Sequence, residues 1–225
     1  MLFWYEQLYK RQFEGIADFP SKRVLEIGSG TSPIKQFHPH ILTSDILPLE
    51  YLDFVFDCHE IDRFEGLPPG GLDVITMTNV LHHLRDPLLF LQKAATKLKP
   101  GALLIATEPY VSVFSGLVWR YLHHEAIDLN IVEPRLTRVA GPLASSNQAL
   151  PYLIFKKRNE WAARLTPPYD PHVELRPFTA LAYLATGGIS RKLPVPHALY
   201  RSCFAVDCWL ASMFTEGLAS LFTIF

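Results

Sequence analysis

Two carboxylates, a bare backbone bend and two histidine pairs are the parts of this 225-residue sequence that could do chemistry. Asp45 and Asp57 each close a short apolar run, and an ionised carboxylate at a strand end can accept hydrogen bonds from two vicinal hydroxyls. Gly28 and Gly30 sit in Glu26-Ile27-Gly28-Ser29-Gly30-Thr31-Ser32-Pro33, where the missing Cβ atoms permit a sharp turn and close approach of a ligand to the backbone. Asp45 follows Gly28 by 17 positions (45 − 28), close to the ~20-residue offset of an acidic residue that holds ribose hydroxyls. His82-His83 and His123-His124 are candidate bases for a hydroxyl nucleophile, because imidazole titrates near neutrality. Each residue also has a plainer reading. Asp45 could be a surface-turn aspartate. Asp57, with Glu60 and Asp62, could line a solvated loop. Each histidine could open a helix, bonded to a backbone carbonyl, and residues 123–125 could be a solvated helix end.

These groups need a scaffold, and the hydrophobic pattern supplies one. Val24, Leu25 and Ile27 read as a buried parallel strand, after which Thr31 or Ser32 caps a helix with Pro33 in its first turn. Such a strand ends at the carboxyl edge of a sheet, where open α/β folds bind ligands. Further strands are predicted at 41–45, 54–58, 72–78, 102–107 and 172–178, with a turn at 67–71. Helices are predicted at 3–16, at 86–98 and at 113–124. The second is capped by Asp86, carries Lys97 and Lys99 at its C-terminus and is stopped by Pro100-Gly101. The third has Val113, Leu117, Trp119, Tyr121 and Leu122 as its bulk. Residues 141–151 read as a loop in which Asn147 and Gln148 either touch a polar substrate or serve turn chemistry. Residues 152–155 fit a strand or a helix edge, 159–165 a helix, and 180–185 a short helix capped by Gly187-Gly188. The apolar stretch from His197 reads as a helix on the sheet, with a dimer or lipid-facing surface as the lesser alternative. Residues 221–225 close the sheet.

The glycine turn also narrows the cofactor. A dinucleotide fingerprint would carry Gly or Ala at position 33, where this chain has Pro33, and no P-loop lysine is present. The run Val24-Leu25-Glu26-Ile27-Gly28-Ser29-Gly30 resembles motif I of the class I S-adenosylmethionine (SAM)-dependent methyltransferases, with Ser32 where many members have a third glycine. Asn79-Val80-Leu81-His82-His83-Leu84 resembles the run these enzymes carry after their fourth strand. The resemblance covers residues 22–108. Fragments of 108–188, among them Glu-Pro-Tyr and His-His-Glu, are similar to uncharacterised bacterial methyltransferases. It implies a three-layer α/β/α Rossmann-like fold with a seven-stranded, mostly parallel sheet whose last strand is antiparallel. It further implies one domain over 1–225, with a substrate-side insertion at 109–170. SAM would be held by Glu26, Gly28, Ser29, Gly30, Asp45, Ile46, Asp57, Cys58 and Asn79, with Trp4 and Tyr5 as lid candidates. His82, His83, His123 and His124 would be the catalytic candidates, and Glu108, Tyr110 and Glu125 would border the acceptor. The acceptor would be a small molecule, such as a hydroxyl of a sugar, a lipid-linked compound or a secondary metabolite.

Composition excludes other classes. A net charge of −1 gives no basic face for nucleic acid. Three scattered cysteines, Cys58, Cys203 and Cys208, match a reduced, cytoplasmic protein and no metal motif. His59 near carboxylates lacks a second ligand cluster, so no metal is expected. Charges interrupt the apolar C-terminal third, so no membrane span is expected, while peripheral membrane contact stays open. The N-terminal apolar run is too short for a signal-peptide core, and the absence of a charged tail after 225 points to a shortened end. An NAD-dependent oxidoreductase is disfavoured by Pro33 and by the lack of a Tyr-Lys hydride-transfer pair. A non-catalytic SAM-fold scaffolding subunit is the alternative in a different class.

Overall fold

The structure, a computed structural model, describes residues 2–141, 144–165, 173–186 and 196–225. Seven strands form one sheet in the order β3-β2-β1-β4-β5-β7-β6. They are β1 (Val24–Ile27), β2 (Leu42–Asp45), β3 (Phe54–Val55), β4 (Leu72–Thr78), β5 (Leu98–Pro109), β6 (Leu175–Pro177) and β7 (Leu221–Ile224). β1 pairs in parallel with β2 and β4, and β4 pairs in parallel with β5. β7 runs antiparallel to both β5 and β6. This is the doubly wound, seven-stranded sheet with a reversed last strand that the sequence predicts. All four residues of β1 are buried, as a central parallel strand covered on both faces requires.

The helices are α1 (Leu2–Phe13), α2 (Ile34–Phe37), α3 (Pro87–Ala95), α4 (Val113–Tyr121), α5 (Leu150–Tyr152), α6 (Asn159–Ala162), α7 (Ala182–Thr186), α8 (His197–Met213) and α9 (Thr215–Leu218). Two hydrophobic clusters cover the two faces of the sheet. One gathers α3, α5 and α6 residues such as Phe90, Leu150 and Trp161, and the other gathers Trp4, Leu8 and Tyr9 of α1 with Phe178 and Phe204. Gln12 of α1 is fully buried, and its amide donates to the hydroxyls of Thr78 (3.1 Å) and Thr107 (2.9 Å), pinning α1 over the ends of β4 and β5. Among the described residues no helix is long and apolar enough to cross a membrane.

At the turn after Gly30, Ser32 Oγ accepts from Ile34 N at 3.3 Å at the start of a single-turn α2, with Pro33 between them in the first turn, as expected for a Ser32 cap. Several other local expectations are corrected. Asp86 does cap α3, accepting from Leu89 N at 3.0 Å, but that helix stops at Ala95. Lys97 is therefore not at a solvated helix end. It is buried, and its ammonium donates to the carbonyls of Phe64 (2.9 Å) and Leu67 (2.6 Å). Lys99 pairs instead with Asp73 across the strands. Pro100-Gly101 lies within β5, beside the register shift between β4 and β5. The strand expected at 54–58 shrinks to two residues, because Asp57 caps a short 3₁₀ segment from Cys58 to Arg63. Residues 152–155 are helical. α4 buries only Ser115 and Trp119, while Val113, Leu117, Tyr121 and Leu122 are exposed and supply no core. Residue 172 of the predicted sixth strand and the expected Gly187-Gly188 cap lie outside the described residues.

Asp207 shows how α8 holds the far side of the sheet. Its buried carboxylate accepts from the N–H groups of Ala180 (3.1 Å), Leu181 (2.6 Å) and Ala182 (3.1 Å), capping α7 from a neighbouring element. Asp207→Ala strands three amides and is expected to cost about 2–3 kcal/mol, lowering Tm by roughly 8 °C in a thermal melt.

Candidate functional site

A cavity of about 700 Å³ opens at the carboxyl edge of the sheet, within the range of small-molecule clefts. Its floor begins at the bend after β1. Gly28 has φ 75°, and a Cβ there would lie 2.4 Å from Val80 Cγ2; a Cβ on Gly30 would lie 2.9 Å from Asp45 Oδ2. Both positions thus depend on glycine. Glu26, Gly28, Gly30, Asp45, Ile46, Asp57, Cys58 and Asn79 all line this cavity. Ser29 does not: it is fully buried beneath it, accepting from Ser44 N at 3.2 Å.

The carboxylates are already partly engaged. Asp45 accepts from Gly30 N and Leu47 N, both at 2.9 Å, one on each oxygen, so it shapes the bend as well as facing the cavity. Asp57 accepts from His59 N at 2.9 Å, and the same oxygen faces His59 Nδ1 at 2.9 Å. Its backbone hydrogen bond and the nearby imidazole outweigh burial and hold its carboxyl below the usual range. Burial pushes the Cys58 thiol up, so it stays protonated at neutral pH.

At the inner end, Glu26 is buried. Ser32 Oγ donates to its Oε1 at 2.7 Å, while Oε2 has no partner. Burial raises this carboxyl to about 7, and the charge of Asp45 adds to the shift. Asn79 has φ 57°, an uncommon left-handed conformation for a non-glycine residue. Its N–H donates to Thr107 O at 2.8 Å and its Nδ2 to the Tyr183 hydroxyl at 3.1 Å, while Oδ1 is buried without a partner. Two orphaned acceptors on one cavity wall are costly unless a donor arrives. Tyr5 of α1 lines the cavity here, whereas Trp4 packs into the core against Phe178 and Tyr183.

At the outer end four histidines and a glutamate meet. His82, His83, His123, His124 and Glu125 all line the cavity, so two sequence-distant pairs become neighbours. His82 is buried, with Nδ1 2.7 Å from Glu108 Oε2 and Nε2 3.4 Å from Glu125 Oε2. Glu108 Oε1 also accepts from Val80 N and Leu81 N at 2.8 Å each. Burial alone would lower His82, but the hydrogen bond and charge of Glu108, with Glu125 behind it, hold it at about 9. For Glu125, burial works upward and is outweighed by His82, His83 and His123, which bring it to about 2. His83 Nδ1 lies 3.1 Å from Ser145 O, and its Nε2 lies 3.6 Å from Glu125 Oε1. Glu125 N donates to His123 Nδ1 at 3.2 Å, while His124 is largely exposed, 3.9 Å from Glu125.

The loop carrying Glu125 is fastened to the exit of β4 by Asn147 N to His82 O (2.9 Å) and Leu136 N to Arg85 O (2.9 Å). Asn147 serves this loop and not the cavity: its amide bonds Asp128 and Ala149. Gln148 does face the cavity and donates to Glu125.

Two expected acceptor residues are elsewhere. Glu108 is fully buried behind His82 and does not line this cavity. Tyr110, 2% exposed, turns into the core, where it packs on Tyr152 and Phe222 and donates to Glu216 at 2.8 Å. Gln148, one of two residues expected either to touch a substrate or to serve a turn, faces the cavity, whereas Tyr51 and Tyr183 as cavity residues and Ser32 as the support of Glu26 are not read from the sequence. Of these last three only Ser32 carried a signal, as the departure from a third glycine.

A family model described as a methyltransferase domain matches residues 4–149. The methyltransferase tpcM of Aspergillus fumigatus is 28% identical over 111 residues, which is 44% of this chain and 34% of that protein. The chain therefore spans about a third of the length of this curated relative. The crystal structure of a SAM-dependent methyltransferase from Archaeoglobus fulgidus aligns over 99% of this chain and 91% of that one, with TM-score 0.55 and 16% identity. The trans-methyltransferase CalH, solved with S-adenosylhomocysteine, is 25% identical over 40% of this chain and 33% of its own, with TM-score 0.35.

Proposed function

Because the chain belongs to the methyltransferase-domain family, we propose that it transfers the methyl group of SAM to a hydroxyl of a small-molecule acceptor. The observation that carries this reading is one cavity with two unlike ends: orphaned acceptors at Glu26 and Asn79, and a histidine–glutamate group opposite. Glu26 Oε2 and Asn79 Oδ1 suit the α-ammonium of SAM. Asp45 takes the ribose hydroxyls; each of its oxygens keeps a lone pair beyond its backbone bond. Asp57 and the Cys58 backbone receive the adenine edge. When bound, SAM would supply an electrophilic methyl on a sulfonium, open to in-line displacement by the acceptor oxygen with S-adenosylhomocysteine as the leaving group. The chain contributes orientation and a sheltered site. The group around His83, His123, His124 and Glu125 orients the acceptor and receives its hydroxyl proton, with Gln148 beside them on the acceptor side.

A pH signature follows from Glu26. Its folded value of about 7 exceeds the ordinary 4.5. Without ligand, the stability it contributes is full below 4.5 and lost as pH rises through about 7. SAM affinity should move oppositely, rising as Glu26 ionises through the same window. Tyr5 and Tyr9 of α1, Asp45, Ser29 and Ser32 surround the group and carry no positive charge. Calorimetry from pH 5.5 to 8.5 should show this slope, and Glu26→Gln should flatten it; equal slopes would remove Glu26 from the ammonium site. The reading as a whole is tested with methyl-labelled SAM and a panel of sugar, lipid-linked and phenolic alcohols. Label in an O-methyl product, with matching S-adenosylhomocysteine, is expected. Transfer only to nitrogen or carbon acceptors would overturn the hydroxyl assignment.

A further inference from the structure

We propose that His82, His83 and Glu125 form a binding site for one divalent transition-metal ion, of the Zn²⁺ type, at the acceptor end of the cavity. One ligand atom from each of these residues can be chosen so that all three lie within 4.8 Å of one another. Their separations suit an ion better than direct pairing. His82 Nε2 and His83 Nε2 stand 3.4 Å and 3.6 Å from the two oxygens of Glu125. A charge-assisted N–H···O bond spans about 2.7–2.9 Å. Two donors each about 2.1 Å from a tetrahedral ion stand about 3.4 Å apart.

The surroundings of the three residues are those of prepared ligands. Ser145 O can only accept, so His83 Nδ1 carries the proton and its Nε2 presents a lone pair. Glu108 Oε2 can only accept, so at 2.7 Å it fixes a proton on His82 Nδ1; an ion at His82 Nε2 would displace the proton that Nε2 otherwise shares with Glu125, and metal binding would release it. Gln148 donates to Glu125. Outer partners that fix ring orientation and tautomer are the usual support of metal-binding histidines. Two carboxylates, Glu108 and Glu125, flank the imidazoles and favour a cation between them. Three protein ligands facing a cavity leave a fourth position free, as catalytic rather than structural sites do. An acceptor oxygen would complete it. The trio Asp57-Cys58-His59 lacks this preparation, since Asp57 is already bound to His59 through backbone and ring. From the sequence, a metal is weighed only at His59 and set aside for want of a second ligand cluster; His82-His83 and Glu125 lie 42 positions apart (125 − 83), and only the fold brings them together.

The site deepens the methyltransferase reading, but its test stands apart from it. The full chain, stripped with a chelator, is titrated with Co²⁺ alone while visible d–d absorption is recorded. One ion per chain with a tetrahedral-type spectrum is expected. His83→Ala and Glu125→Gln, both at partly exposed side chains, should lower Co²⁺ affinity about 100-fold and abolish the spectrum while Tm stays near that of the unsubstituted chain. Less than one ion per chain, or undiminished binding in both variants, overturns the proposal. If a variant fails to fold, the stoichiometry and spectrum of the unsubstituted chain decide. SAM binding is measured on the same samples. SAM bound without Co²⁺ sinks the metal site and leaves the methyltransferase reading standing; Co²⁺ bound without SAM does the reverse.

Discussion

Asp45→Ala is expected to weaken SAM binding about 100-fold, equivalent to about 2.7 kcal/mol. Hydrogen bonds to a charged acceptor contribute roughly 1.5–3 kcal/mol each, and alanine removes the carboxylate from the ribose. It also frees Gly30 N and Leu47 N, which Asp45 holds at 2.9 Å. The bend itself therefore loosens, so the loss includes reduced preorganisation. Asp45→Asn separates the two effects. It keeps an acceptor oxygen for one backbone amide but loses the charge, and a loss of about 10-fold is expected. Calorimetric affinities of both variants within threefold of the unsubstituted chain would place the ribose elsewhere.

The second large effect is at Glu108, which binds no ligand in this reading. Glu108→Ala leaves Val80 N, Leu81 N and His82 Nδ1 without their partner in a buried site. Breaking a buried charged pair costs roughly 3–5 kcal/mol, so Tm should fall by about 10 °C. Glu108→Gln fills the same space and keeps an oxygen for the two amides. It should recover most of the stability, yet its amide N–H₂ would face His82 Nδ1 and reverse the imidazole tautomer. The expected pattern is a near-normal melt for glutamine with impaired methyl transfer, and a destabilised chain for alanine. Equal stability of alanine and the unsubstituted chain would show that Glu108 is not the anchor of the histidine cluster.

What was legible in the sequence was local. Val24-Leu25-Glu26-Ile27 reads as a doubly covered strand and the glycines after it as a bend, and both are found. The repeated apolar runs then required a mostly parallel sheet. What was not legible depended on partners brought by topology. Lys97 reads as a helix-end cation, but β5 starts one residue later and buries it against carbonyls of the preceding loop. Asp57 reads as the end of a strand, yet it turns inward to cap the next segment. Tyr110 reads as a rim residue, but the reversed β7 offers Phe222 and draws it into the core. The histidines were identifiable by type. Their convergence on Glu125 was not, because it depends on the loop after α4 folding back against His82.

The central claim is that the cavity beside Gly28 and Gly30 holds SAM, and calorimetry of the unsubstituted chain tests it most directly. Titration with SAM at pH 8 should give one site per chain, and a large excess of NAD should not compete. Absence of saturable SAM binding, or displacement of SAM by NAD, would contradict it.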